Sequence, residues 1–163
     1  MSTPTVESVW DYPRPPRLER SPALLVIELG GHQIVETTRS LRVLETSHPP
    51  VHYVPIEDVA DGVLQETSPG AAASYCEWKG TASYYDAIVP GTSDVLARVA
   101  WHYPQPTRHY AEIAGHVAFY PSRMDRCWLD GEQVQAQAGD FYGGWITSRI
   151  VGPFKGGPGT RGW

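Results

Sequence analysis

The densest mixture of cation, carboxylate, hydroxyl and imidazole in this chain lies in residues 39–55, RSLRVLETSHPPVHYVP. Arg42, Glu45, Thr46 and His48 fall within one short stretch there, and Tyr53 follows just beyond. A second polar group, Glu77, Trp78 and Lys79, comes from CEWKG. Arg42 and Lys79 would draw a small anionic or polar ligand, a local exception on a chain of net charge −5. His48 is the natural general base, because an unperturbed imidazole titrates near neutrality. Glu45 and Glu77 are the other proton-transfer candidates. Thr46, Tyr53, Trp78, Trp101 and Tyr120 would complete the binding walls, with Tyr103 and His116 beside them. Small-ligand pockets have this character, mostly apolar or aromatic with a few directed polar groups.

Each feature also has a purely structural explanation. Aromatics fill the core of any β domain. Arg42 and Glu45 on an apolar strand suit a structural ion pair. The hinge itself suits a rigid turn whose polar groups satisfy their own backbone.

The elements that must position these residues are mostly strands. Leu41, Val43 and Leu44 read as a strand that stops near Glu45 or Thr46, since neither Pro49 nor Pro50 has an N–H for a ladder. Val51–Val54 is a second extended piece. Pro55 then opens PIEDVADGVLQ, the one principal helix expected, with Glu57 and Asp58 at its positive end. Elsewhere ALLVIEL and HQIVETT flank a Gly30-Gly31 hairpin turn, and Asp130-Gly131 pins another. CEWKGTASYYDAIV reads as strand, turn at Lys79-Gly80, and strand; Pro90-Gly91 turns the chain again. DVLARVAWHYP alternates, with Val95, Ala97, Val99 and Trp101 on one face. His116–Tyr120 and Trp145–Ile150 are further strands. The expectation is an antiparallel, mainly β domain of at least six strands over 22–138. A proline-rich arm, 1–21, and a Gly/aromatic-rich extension, 139–163, are expected to dock on it through Trp10, Tyr12, Trp145, Phe154 and Trp163.

Composition agrees. Sixteen glycines, fifteen prolines, six tryptophans and nine tyrosines suit strands and turns rather than helices. The negative charge argues against nucleic acid as a partner. No apolar run reaches the ~20 residues of a membrane span, and the N-terminus lacks the regions of a signal peptide, so a cytoplasmic protein is expected. Cys76 and Cys127 read as two buried thiols rather than a disulfide. Lys79 would activate Cys76 only if their side chains converged, and on a regular strand positions 76 and 79 face opposite ways.

Several chemistries fail on the residues. GTSDV at 91–95 offers Asp94 without the second carboxylate that a nucleotidyltransferase needs for magnesium. In GPFKGGPGT, Lys155 precedes the glycines and no Gly-Lys-Ser/Thr follows, which excludes Walker chemistry. The competing functional class is a non-catalytic interaction or assembly module, including a homo-oligomer, in which arm and tail grip a partner.

Taken in order, WDYPRPP, TTRSLRVLETSHPP with VHYVPIEDV, CEWKGTASYYD, AWHYP, IAGHVAFYP and GGWITSRIVGPFKGGPGT closely resemble the bacterial family called domain of unknown function 427. The resemblance runs from about Val6 to Trp163. It implies a compact antiparallel domain of the Mss4-like, β-tent type. Relatives of that fold include zinc chaperones and methionine sulfoxide reductases, whose paired CxxC motifs are absent here, so neither chemistry carries over. No cofactor or metal is expected. Dialysis against a strong chelator should therefore leave the melting temperature unchanged; a fall of many degrees would reveal a metal site assembled from scattered residues.

Overall fold

Alternating strands and glycine turns build almost all of the structure. A computed structural model describes residues 5–67, 74–139 and 142–163. Along the described chain the strands are β1 Glu7–Ser8, β2 Arg17–Ser21, β3 Leu25–Leu29, β4 His32–Thr37, β5 Ser40–Leu44, β6 Val51–Pro55, β7 Leu64–Glu66 and β8 Ser74–Cys76. They continue as β9 Gly80–Ile88, β10 Val95–His102, β11 His116–Phe119, β12 Arg126–Leu129, β13 Glu132–Gln133, β14 Gln135–Ala136, β15 Trp145–Ile146 and β16 Ile150–Val151. The large sheet has the order β2-β5-β6-β11-β10-β9-β7, with β8 also on β9. A four-stranded sheet has the order β13-β12-β3-β4. These ladders are antiparallel; β1 and β16 pair in parallel. The chain is mainly β.

Both expected hairpin turns form. Gly30 and Gly31 have φ of 62° and 77°, and Asp130 and Gly131 have 48° and 82°. Positive φ at both central residues matches the twist of the flanking strands.

The expected helix after Pro55 does not form. Pro55 ends β6 opposite His116, and only Ile56–Asp58 makes a single 3-10 turn. Gly62 is left-handed at φ 80°, and the chain then enters β7 against β9. The acids that suggested a helix start are spent on ion pairs: Arg39 binds both Glu57 and Asp58, and Thr37 donates to Asp58. The longest helical piece among the described residues is the 3-10 segment Arg108–Ile113.

The alternation expected in β10 is also interrupted. Its pairing with β9 shifts between Leu96 and Ala100, and Arg98 takes φ 53°. Val95 and Ala97 are consequently exposed, while Val99, Ala100 and Trp101 are all buried. A bulge re-aims side chains in this way.

Two cores lie on opposite faces of the large sheet. Val54, Val117, Phe119 and Ala100 join Leu25, Ile27, Val35 and Cys127 of the four-stranded sheet in one core. Tyr53, Ala118, Trp101 and Ala82 lie in a second, aromatic core with Leu41, Val43, Tyr103 and Tyr110. The arm and the tail close a third, smaller cluster of Val9, Tyr12, Leu44 and Ile150. Trp10 donates to the Pro153 carbonyl at 2.8 Å and meets Trp163 edge-on at 5.3 Å, so these anchors hold each other. No helix of the described residues is long and apolar enough to cross a membrane.

His52 is buried on β6 with its Nδ1 unpartnered, its ring 5.1 Å from Trp145 and directly across from Arg42. Burial, with a smaller push from Arg42, lowers its pKa to about 3. The unfolded chain therefore takes up this proton first, and the stability that neutral His52 contributes is lost as pH falls below about 6.5. Burial lowers His48 and His102 in the same direction. Stability measured by denaturant unfolding should fall by about 1.2 kcal/mol from His52 alone between pH 6 and 5, where carboxylates contribute little. His52→Leu should flatten the slope by that amount.

Candidate functional site

The two-residue period of β5 and β6 sends the hinge residues to different places. Leu41 sits opposite Tyr53 and Val43 opposite Val51 on the aromatic face, while Arg42 sits opposite His52 on the other. The aromatic face opens into a cavity of about 570 Å³. Glu45, His48 and Tyr53 line it from the hinge side, and Glu77, Trp78 and Lys79 from the β8–β9 turn. Trp101, Tyr103 and Tyr120 form its aromatic floor. Nine of the side chains singled out in the sequence as catalytic or binding candidates therefore share one concavity: Glu45, His48, Tyr53, Glu77, Trp78, Lys79, Trp101, Tyr103 and Tyr120.

Arg42, Thr46 and His116 do not line it. Arg42 donates to Glu19 at 2.9 Å through Nε and to both oxygens of Glu7 at 3.1 and 3.2 Å. Positions 42 and 45 differ by an odd number along an extended chain, so an Arg42–Glu45 pair does not form. Glu45 instead meets Arg14 at 3.4 Å. The Thr46 hydroxyl donates to the Tyr12 carbonyl at 2.6 Å, which fixes the arm to the hinge. His116 lies at the far end of β11, with Nδ1 3.2 Å from the Ala114 carbonyl. The GTSDV segment is a turn: Thr92 donates to the Val89 carbonyl and accepts from the Asp94 amide. Among the described residues no group of three histidines, cysteines or acids is placed to hold a metal.

His48 is held in a defined tautomer. Its backbone N–H donates to the Glu45 carbonyl at 3.0 Å, closing a turn in which Ser47 takes φ 70°. Its Nδ1 lies 2.8 Å from the Thr46 carbonyl. A carbonyl only accepts, so Nδ1 carries the hydrogen and Nε2 keeps the lone pair in the neutral ring. Burial lowers the pKa, opposed by the Glu45 carboxylate 3.8 Å from Nδ1. A neutral imidazole with a free Nε2 is the base form.

Lys79 is 9% exposed, with its ammonium 5.7 Å from the centre of the Tyr103 ring. Its carbonyl accepts from the Thr107 N–H at 3.0 Å, but its ammonium makes no ion pair or hydrogen bond among the described residues. A lysine so little exposed, with no carboxylate on its ammonium, is uncommon. The walls around it stay neutral: burial raises the hydroxyls of Tyr53 and Tyr103 far above their ordinary range and pushes Tyr120 up to about 12. The Trp101 indole donates to the Tyr53 hydroxyl at 3.2 Å, fixing two of those walls.

Three tyrosines and a lysine of the cavity were not singled out in the sequence as binding candidates. Tyr75 and Tyr84 come from β8 and β9, and Tyr142 and Lys155 come from the tail. The tail reaches the site because Lys155 N–H donates to the Ser47 carbonyl at 2.8 Å and Trp145 N–H to the Pro50 carbonyl at 2.8 Å. Gly143 makes this approach feasible, since a Cβ there would lie 2.5 Å from the Trp101 ring. The aromatic richness of the tail was the signal for docking, but nothing in its spacing says which surface it covers. Cys76 is the other surprise. The turn at 77–79 curls the chain, so Cys76 and Lys79 line the same cavity rather than opposite faces.

Arg42→Ala should lower stability by about 2 kcal/mol or more, because it strands the half-buried Glu7 and Glu19 carboxylates. Equilibrium urea unfolding measures this, and an unchanged midpoint would deny the ion-pair cluster a structural role.

No curated protein matches the chain. A family model labelled NTP_transf_9, with the description domain of unknown function (DUF427), matches residues 17–130. That span runs from β2 to the β12–β13 turn and holds every cavity-lining residue except Tyr142 and Lys155. With most of its length matched, the chain belongs to the DUF427 family.

Proposed function

We propose that the chain binds a small anion with a flat or apolar body in the hinge cavity, with His48 available for general acid/base chemistry. The observation that carries this reading is Lys79, a residue only 9% exposed whose ammonium pairs with no carboxylate among the described residues, at the wall of an aromatic cavity. A ligand anion would supply the missing counter-charge, and a charge-assisted hydrogen bond in such a setting contributes about 1.5–3 kcal/mol. Lys155 adds a second cation at the rim, already bonded to the main-chain oxygen of Trp163 at 2.9 Å. The tyrosine hydroxyls donate hydrogen bonds without competing as bases. Glu45 would stabilise His48 once it has taken up a proton, and Glu77, exposed at the mouth, is the remaining proton-transfer candidate.

The interaction-module alternative needs arm and tail free for a partner, whereas here they are engaged with each other and with the hinge. A nucleotidyltransferase reading lacks its carboxylate set, since Asp94 lies in an ordinary turn. The β-tent placement and a cytoplasmic location belong to the same proposal. The former is supported by two antiparallel sheets packed through one apolar core.

Calorimetric titration with benzoate and with inorganic phosphate tests the binding reading. Benzoate should bind, and Lys79→Gln should weaken it about tenfold or more, the factor that one charge-assisted hydrogen bond commands. Equal binding by wild type and Lys79→Gln, or no heat with either probe, would sink it.

A further inference from the structure

We infer that Cys76 is a nucleophile of this cavity, forming a thioether with small carboxylates that carry an electrophilic carbon and are steered to it by Lys79. The inference rests on the anion-binding reading above and adds a bond-forming step to it.

Two independent observations carry it. Cys76 is a free thiol, only partly buried, on the wall of the 570 Å³ cavity. Lys79, a residue only 9% exposed whose ammonium makes no ion pair among the described residues, lines the same cavity three residues on, brought round by the turn between β8 and β9. A carboxylate held by Lys79 would therefore carry its reactive carbon among the residues that surround the sulfur. Cys76 packs against the aromatic core, and the flat faces and neutral hydroxyls of the cavity's Tyr53 and Tyr103 suit a short planar acid.

The step balances without an oxidant. The thiol proton passes to His48, which lines the same cavity as a neutral base. The sulfur electron pair forms a C–S bond, and the carbon releases its leaving group with the bonding pair. Cys127 provides an internal control. It lies in the other core, 2% exposed, and burial pushes its thiol up to about 12, so it has neither access nor thiolate.

The experiment compares alkylation of the folded protein by iodoacetate and by iodoacetamide, read by peptide mass spectrometry, with glutathione as the unsteered reference. In each case a C–S bond replaces C–I and iodide departs. Cys76 should be modified and Cys127 spared, and the iodoacetate-to-iodoacetamide rate ratio at Cys76 should exceed that of glutathione about tenfold or more. Lys79→Gln should return the ratio to the glutathione value, while Lys79→Arg, which keeps the charge, should preserve the preference; the two-reagent comparison on wild type stands even if a variant misfolds. Cys76 that stays unmodified in the folded protein, under conditions that alkylate both cysteines after denaturation, overturns the inference. A wild-type ratio equal to that of glutathione overturns it too. If benzoate still binds in a Lys79-dependent way in either case, only the covalent step has failed; if benzoate binding is absent as well, the anion site has failed with it.

Discussion

Arg42 on β5 faces Glu19 on β2 to one side and His52 on β6 to the other, so one row of side chains crosses three strands on a single face of the sheet. Cross-strand neighbours of this kind are the unit in which a sheet is stabilised. Here the row ends against Trp145 and is closed from above by Glu7, whose own strand is held by β16. Burial would raise the Glu7 carboxyl, but hydrogen bonds from Arg42 and Tyr12 outweigh it and hold it ionised. One guanidinium thereby ties the arm, the edge of the large sheet and the tail into one body.

The same pleat that turns Arg42 toward the ion pairs turns Leu41, Val43 and Tyr53 toward the aromatic core. Slipping the register by one residue would exchange the two sets and bury the guanidinium against tryptophan, which the apolar neighbours forbid. The cavity is thus a by-product of a sheet that is covered on both faces, packed against a second sheet on one and incompletely filled by aromatics on the other. The tail completes it, laying Gly143 against Trp101 and bringing Lys155 and Tyr142 to the rim.

Electrostatics divides the two polar regions further. Around Arg42 the charges are matched, with two carboxylates on one cation. Around Lys79 the described charges are unmatched, and the surrounding hydroxyls are held neutral by burial. A low-dielectric wall strengthens any interaction the ammonium makes. Matched charge is what a scaffold needs, while unmatched charge in a concavity is what a ligand can answer.

Much of this was legible in the residues. The strands around Leu41–Leu44 and Val51–Val54, the Gly30-Gly31 and Asp130-Gly131 turns, and the grouping of His48 with Lys79 follow from local propensity, proline's missing donor and glycine's tolerance of positive φ. The helix expected after Pro55 is replaced by a single 3-10 turn, and its acids serve Arg39 and Thr37, partners distant in sequence. Arg42 was misplaced for the same reason: its true carboxylates, Glu7 and Glu19, lie 35 and 23 residues away. The face on which a side chain lands depends on strand register, on the bulge at Arg98 and on the turn at 77–79. Those are settled by packing between segments far apart in the chain. Composition and spacing determined a β protein with a polar hinge; only the tertiary structure decided which of its charges are paired and which face a cavity.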